Sequence, residues 1–109
     1  MITVIILKIL IDSREFVLKE ADSFIKKLIG LSFKKNIDYV LRFRCNGIHT
    51  FFMREKIDII LTDKNNNILY QYNNFKKNRI LLPKKNVYYT YELPGGSLKN
   101  KKAKKIVIK

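Results

Sequence analysis

The sequence predicts an α+β fold: a small, mostly antiparallel, barrel-like β-sheet with one short helix packed against it. Three features point there. Segments rich in β-branched and aromatic residues recur along most of the chain, separated by turns of Asn, Gly, Pro and Asp. Only Ala21 to Leu31 spaces its apolar residues for a helix. The 109 residues make a single domain, 1–109, with enough chain to bury roughly two-thirds of its unfolded surface without disulfide or metal.

The elements follow in order. Ile2 to Ile11 is dominated by β-branched side chains and reads as a strand; Asp12-Ser13-Arg14 turns it into a second, Glu15 to Lys19, forming a hairpin. In ADSFIKKLIGL, Asp22 or Ser23 can cap the free amides of a helix. Phe24 with Leu28 and Ile25 with Ile29 form its apolar stripe, and Gly30 supplies the left-handed stop. Two turns do not stand alone in water, so the stripe needs a sheet to receive it. YVLRFR from Tyr39, then IHTFFM, then IDIILTD read as strands. Asn65-Asn66-Asn67 tolerate the positive φ of a tight turn and join the strand ending near Thr62 to Ile68–Asn73. Ile80 to Leu82 pairs briefly before Pro83, Val87 to Leu93 is an aromatic strand, Pro94-Gly95-Gly96 is a turn, and Ile106 to Ile108 is a last short strand.

The formal charge of +14 suggests a polyanion partner. Composition points instead to a solvated, biased surface. Lys, Ile and Asn supply 18, 16 and 10 residues, and Lys outnumbers Arg 18 to 5, although Arg is the better bidentate phosphate ligand. The lysines also come as scattered pairs, apart from the basic C-terminal segment 99–109, dense enough for weak electrostatic contacts. One cysteine excludes an internal disulfide. The N-terminal MITVIILKIL has no basic leader, is broken by Lys8 and lacks a small-residue cleavage site, and no apolar run approaches the ~18 residues of a membrane span. The expectation is a soluble, cytoplasmic protein.

Chemistry-bearing side chains concentrate in CNGIHTFFMREKIDII, Cys45 to Ile60. With Glu55-Lys56 as a tight turn, the two arms form a hairpin with Met53 opposite Asp58 and Phe51 opposite Ile60. Phe52, Ile57, Ile59 and Leu61 then make a core face. His49, Phe51, Met53, Asp58, Ile60 and Thr62 make a mixed face where a site would lie. Each residue has two readings. Asp58 is a pocket carboxylate or an acceptor for loop amides that orders the sheet. His49 is a base or a satisfied structural histidine, and Arg54 an anion hook or a solvated hairpin residue. Cys45 is a thiol reaching His49 across a bend at Gly47, or a small buried hydrophobe.

Three motifs in this order resemble a known family: A-D-x-x-x-x-x-L-x-G-L from Ala21, C-x-x-I-H-T-F-F-M-R-x-x-I-D from Cys45, and E-L-P-x-G from Glu92. The chain resembles the uncharacterised prokaryotic family catalogued as domain of unknown function 192. The resemblance implies a small β-rich domain with one packed helix and no established activity. It places the family's most characteristic motif on Cys45, His49, Thr50, Phe51, Phe52, Met53, Arg54, Ile57 and Asp58. Glu55-Lys56 stands where such proteins often carry Phe-Pro.

The reading favoured by the sequence is a non-enzymatic binding or assembly module, its pocket or rim made by the Cys45 to Asp58 hairpin and holding a small ligand or a protein partner. The candidate ligand-binding residues are Cys45, His49, Thr50, Met53, Arg54 and Asp58, with no metal and no cofactor expected. One alternative is a small hydrolase-like enzyme with His49 as base and Asp58 as its orienter. Another is a nucleic-acid binder using the basic surface and Tyr88, Tyr89 and Tyr91 as stacking platforms.

Overall fold

Asp12 and Ser13 turn the chain in the left-handed region, at φ 49° and 76°, as short polar residues can. The hairpin they close opens the sheet. The computed structural model describes residues 7–21 and 37–109. Within these lie β1 (Leu7–Ile11), β2 (Arg14–Ala21), β3 (Tyr39–Phe43), β4 (Ile48–His49), β5 (Ile57–Thr62), β6 (Ile68–Phe75), β7 (Ile80–Leu81), β8 (Tyr89–Pro94) and β9 (Ile106–Ile108). The helix predicted over Ala21 to Leu31 falls outside the described residues, except for Ala21, which ends β2. Residues 2–6 of the predicted first strand lie outside them too.

Seven strands form one sheet in the order β6-β5-β8-β3-β2-β1-β9, and β4 and β7 form a separate two-stranded ribbon. Every pairing is antiparallel except β2 with β3. The sheet curls. Ile68 on one edge strand and Ile106 on the other pack into the same cluster, with Ile9, Leu18, Val40, Ile60, Tyr91 and Leu93. The outermost strands, β6 and β9, are not paired in a ladder. The Gln71 amide closes the gap instead, donating to the Lys101 carbonyl at 2.6 Å and accepting from the Ala103 N–H at 2.7 Å. Barrel-like is therefore right for the curvature, and the barrel is open on one side.

A second cluster lies on the outer face. Leu41, Phe43, Ile57, Ile59 and Leu61 are covered by Met53 and by Leu81 of the ribbon, with Ile48 packed alongside. β5 is flanked by β6 and β8 and covered on both faces, so all six of its residues are buried. IDIILT reads as a continuous apolar run broken only by groups that must be satisfied internally.

The lysine-rich segment before β9 is tied down by one carboxylate. Asp12 accepts the Lys104 N–H at 2.9 Å and the Lys105 N–H at 2.9 Å, while its own N–H donates to the Lys105 carbonyl at 3.1 Å. Asp12→Ala is expected to destabilise the fold by only about 1 kcal/mol, because the site is exposed. It should speed amide exchange over residues 104–108 well beyond the rest of the sheet. Unchanged exchange there would show that β9 holds its edge without Asp12.

Candidate functional site

The predicted hairpin around Glu55-Lys56 does not form. β4 pairs with β7, through Ile48↔Leu81 and His49↔Ile80, whereas β5 pairs with β6 and β8. Both edges of β5 are taken by longer strands, so the arm bearing His49 is displaced onto the outer face as half of a ribbon. Of the predicted strand IHTFFM only Ile48 and His49 are extended.

The ribbon is built from its sequence in steps. Gly47 at φ 97° lets the chain lie against Pro83, whose Cγ would sit 3.0 Å from any Cβ at that position. Asn46 brackets Lys84, accepting its N–H at 2.8 Å and donating to its carbonyl at 2.6 Å. Thr50 is fully buried. Its hydroxyl donates to the Lys76 carbonyl at 2.8 Å and accepts the Arg79 N–H at 2.9 Å; its backbone exchanges bonds with Arg79 and Asn78. One small hydroxyl side chain thus holds the 76–79 loop against β4. The Met53 N–H then donates to the Thr50 carbonyl at 3.3 Å, closing a tight turn with Phe51 and Phe52 at its tip.

Within that turn the strand alternation breaks. Phe52 adopts φ 63° and is 65% exposed, while Met53 is buried with Ile57, Ile59 and Leu61. The two residues therefore trade the places the sequence predicted, and Met53 lies on the opposite side of the sheet from Asp58. The mixed polar face does not exist.

Asp58 is 0% exposed, and its carboxylate is occupied. It accepts the Asn74 N–H at 2.8 Å, the Gly96 N–H at 3.2 Å and the Leu98 N–H at 3.0 Å, tying β6 and the turn after β8 to β5. This is the structural reading of Asp58: an acceptor for loop amides. His49 lies on the ribbon beyond the outer face, half-buried, its Nδ1 accepting the Phe51 N–H at 3.2 Å and its ring stacked 5.1 Å from Phe51. A sheet separates His49 from Asp58, so no base and orienter pair exists. Cys45 packs beside the outer cluster with its Sγ 3.8 Å from the Gly47 carbonyl, and Arg54 is exposed just after the turn. Among the described residues no three His, Cys, Asp or Glu side chains gather as metal ligands would.

The structure brings together instead a set of residues that the sequence alone does not assemble. Ile80 and Leu82 are 61% and 67% exposed, with Leu81 between them turned inward; Phe51 is also exposed beside them. Half of the large exposed hydrophobics among the described residues (Phe51, Phe52, Ile80, Leu82) thus project from this one ribbon and its turn. No local signal in the sequence announces the pairing of residue 49 with residue 80. Pro83 and the alternation Ile80-Leu81-Leu82 indicate only a short strand.

The tyrosines are otherwise engaged. Tyr91 is fully buried and its hydroxyl donates to Asn66 Oδ1; burial pushes that hydroxyl's pKa up. Arg42 lies over Tyr89 and Arg44 over Tyr88, each 4.7 Å from the ring centroid. Arg42 also pairs with Glu20. A base-stacking platform made of Tyr88, Tyr89 and Tyr91 is thereby withdrawn. Glu92, a buried carboxylate opposite Leu41 and Ile59, was passed over as chemistry by the sequence reading.

Comparison with known proteins bears on the fold and the family. A UPF0127 protein of Pyrococcus horikoshii is 43% identical over 83 residues, covering 70% of this chain and 70% of its own. A UPF0127 protein of Thermococcus kodakarensis is 36% identical over 88 residues, covering 74% of this chain; the chain spans 55% of that relative's length. The crystal structure of a protein of unknown function from Novosphingobium aromaticivorans superposes with a TM-score of 0.76 over 96% of this chain and 84% of that one, at 14% identity. It supports the same mostly β, curled sheet. The model of the family described as Uncharacterized ACR, domain of unknown function 192, matches residues 7–105, and the chain belongs to that family, whose function is uncharacterised.

Proposed function

We propose that the chain is a non-enzymatic binding module, acting in the cytoplasm, whose contact surface is the outward side of the β4–β7 ribbon and its Phe51-Phe52 turn. This replaces the pocket or rim expected at the Cys45 to Asp58 hairpin. One observation carries the reading. Phe52 holds a left-handed backbone conformation that costs a bulky residue on the order of 1–2 kcal/mol, and its side chain faces solvent. Five of the nine such non-glycine positions among the described residues are Asn, and Phe52 is the one aromatic. A strained aromatic that is mostly exposed fits a surface that meets a partner. The apolar neighbours Phe51, Ile80 and Leu82 extend it into a patch.

Two measurements test this. Phe52→Gly relieves the backbone, and the variant should match or exceed the parent in stability, by up to about 1 kcal/mol in chemical denaturation. A loss of several kcal/mol would make Phe52 structural. A photocrosslinking amino acid at position 52 or 80 should give adducts in cells, with protein or with lipid, and the same residue at position 8, on β1, should not. Equal yields at all three positions, or none, would overturn the reading.

A further inference from the structure

We infer that the partner of this ribbon is the surface of an anionic lipid bilayer; the inference rests on the ribbon being the contact surface and adds its occupant. Among the clefts lined by described residues, none includes these apolar side chains. Phe51 and Phe52 stand on a turn, and Ile80 and Leu82 stand on the outward side of a two-stranded ribbon. Those clefts lie around Asp12, Asn66, Lys102 and Tyr88. A projecting apolar tip suits insertion into a soft interface, where every side chain finds company without shape complementarity.

Charge selects the kind of interface. Each strand and turn of the ribbon runs into cations: Lys76, Lys77 and Arg79 before β7, Lys84 and Lys85 after it, and Arg54 after the Phe51-Phe52 turn, all exposed except the half-buried Lys84. Glu55 is the only acid in 44–56 or 76–85. Greasy residues at the tip with basic residues around them reproduce, on a β-ribbon, the layout by which amphipathic segments lie at headgroup depth with cations facing the phosphates. The lysine-rich segment 99–105 carries comparable charge, but its exposed apolar company is the single side chain of Val107, 39% exposed on β9, where the ribbon presents four.

The test uses the full chain and two kinds of vesicle, pure phosphatidylcholine and phosphatidylcholine mixed with phosphatidylglycerol. The protein should sediment with the second and not the first. Leu82→Ser and Ile80→Ser should each weaken binding roughly tenfold through lost apolar burial. Lys77→Gln and Lys85→Gln should each weaken it roughly fivefold, and Lys101→Gln with Lys102→Gln should leave it within about twofold. The chain has no tryptophan, so Phe52→Trp gives a single reporter whose emission should shift blue on anionic vesicles and be quenched by brominated lipid. Binding that tracks Lys101 and Lys102 while the indole emission of the Phe52→Trp variant stays unmoved would overturn the inference in favour of diffuse charge. Absence of vesicle binding together with protein adducts at positions 52 and 80 would overturn the lipid assignment and leave the ribbon as a contact surface. Absence of both would remove both.

Discussion

Asp58→Ala is expected to unfold a large part of the population at moderate temperature, with a stability loss of about 4 kcal/mol. The carboxylate is fully buried and meets three backbone amides, from Asn74, Gly96 and Leu98. Removing it leaves those donors without their common acceptor, and bonds to a charged group are each worth roughly 1.5–3 kcal/mol. Against a total of roughly 5–15 kcal/mol for a small domain, this is a major fraction. The thermal midpoint should fall by about 15–30 °C. Asp58→Asn separates geometry from charge. Its carbonyl can still serve two amides, but its NH2 then points at a third N–H, and about half of the loss should remain. Amide exchange of Asn74, Gly96 and Leu98 should rise first. A parent-like midpoint for Asp58→Ala would show that the three segments are held without their common acceptor.

Thr50→Val should cost about 2 kcal/mol although it preserves shape. The methyl that replaces the hydroxyl can neither donate to the Lys76 carbonyl nor accept the Arg79 N–H, and the site is buried. Thr50→Ser keeps both bonds and should lose less than about 1 kcal/mol. The informative readout is local. With the hydroxyl gone, the 76–79 loop is released from β4, so protection in the Asn78–Leu81 segment should collapse before that of β5 or β8. Vesicle binding should weaken along with it, since Ile80 is presented by this pairing. A uniform loss of protection across the sheet would mean that the ribbon and sheet unfold as one unit.

Local chemistry explains which parts of the fold were legible. Asp12-Ser13 and the Asn65–Asn67 run are polar residues that accept positive φ, so two hairpins could be located from the residues that close them. Asp63, whose carboxylate takes the Asn65 and Asn67 N–H groups, completes the second turn in the way its type suggests. Asp58 could be read as an acceptor for loop amides because an acid among isoleucines has few other stable options. The site failed to appear because its geometry depends on pairings far apart in the chain: β5 with β8, and β4 with β7. Nothing between His49 and Ile57 marks that the chain leaves the strand there. Phe52 in a left-handed conformation shifts the alternation by one place, and a one-residue slip exchanges every side chain between faces. That single step moved Met53 into the core and Phe52 out of it.

The pairing of β1 with β9 adds the last strand to the sheet's edge and joins residues nearly a hundred positions apart. Ile106 belongs to the same inner cluster as Ile9 and Ile11. Until that long-range pairing forms, the first hairpin keeps its outer edge and greasy side uncovered. A closure spanning that much chain is slow to form, and the interval before the last strand docks is when this polypeptide is most open to chaperones and to self-association.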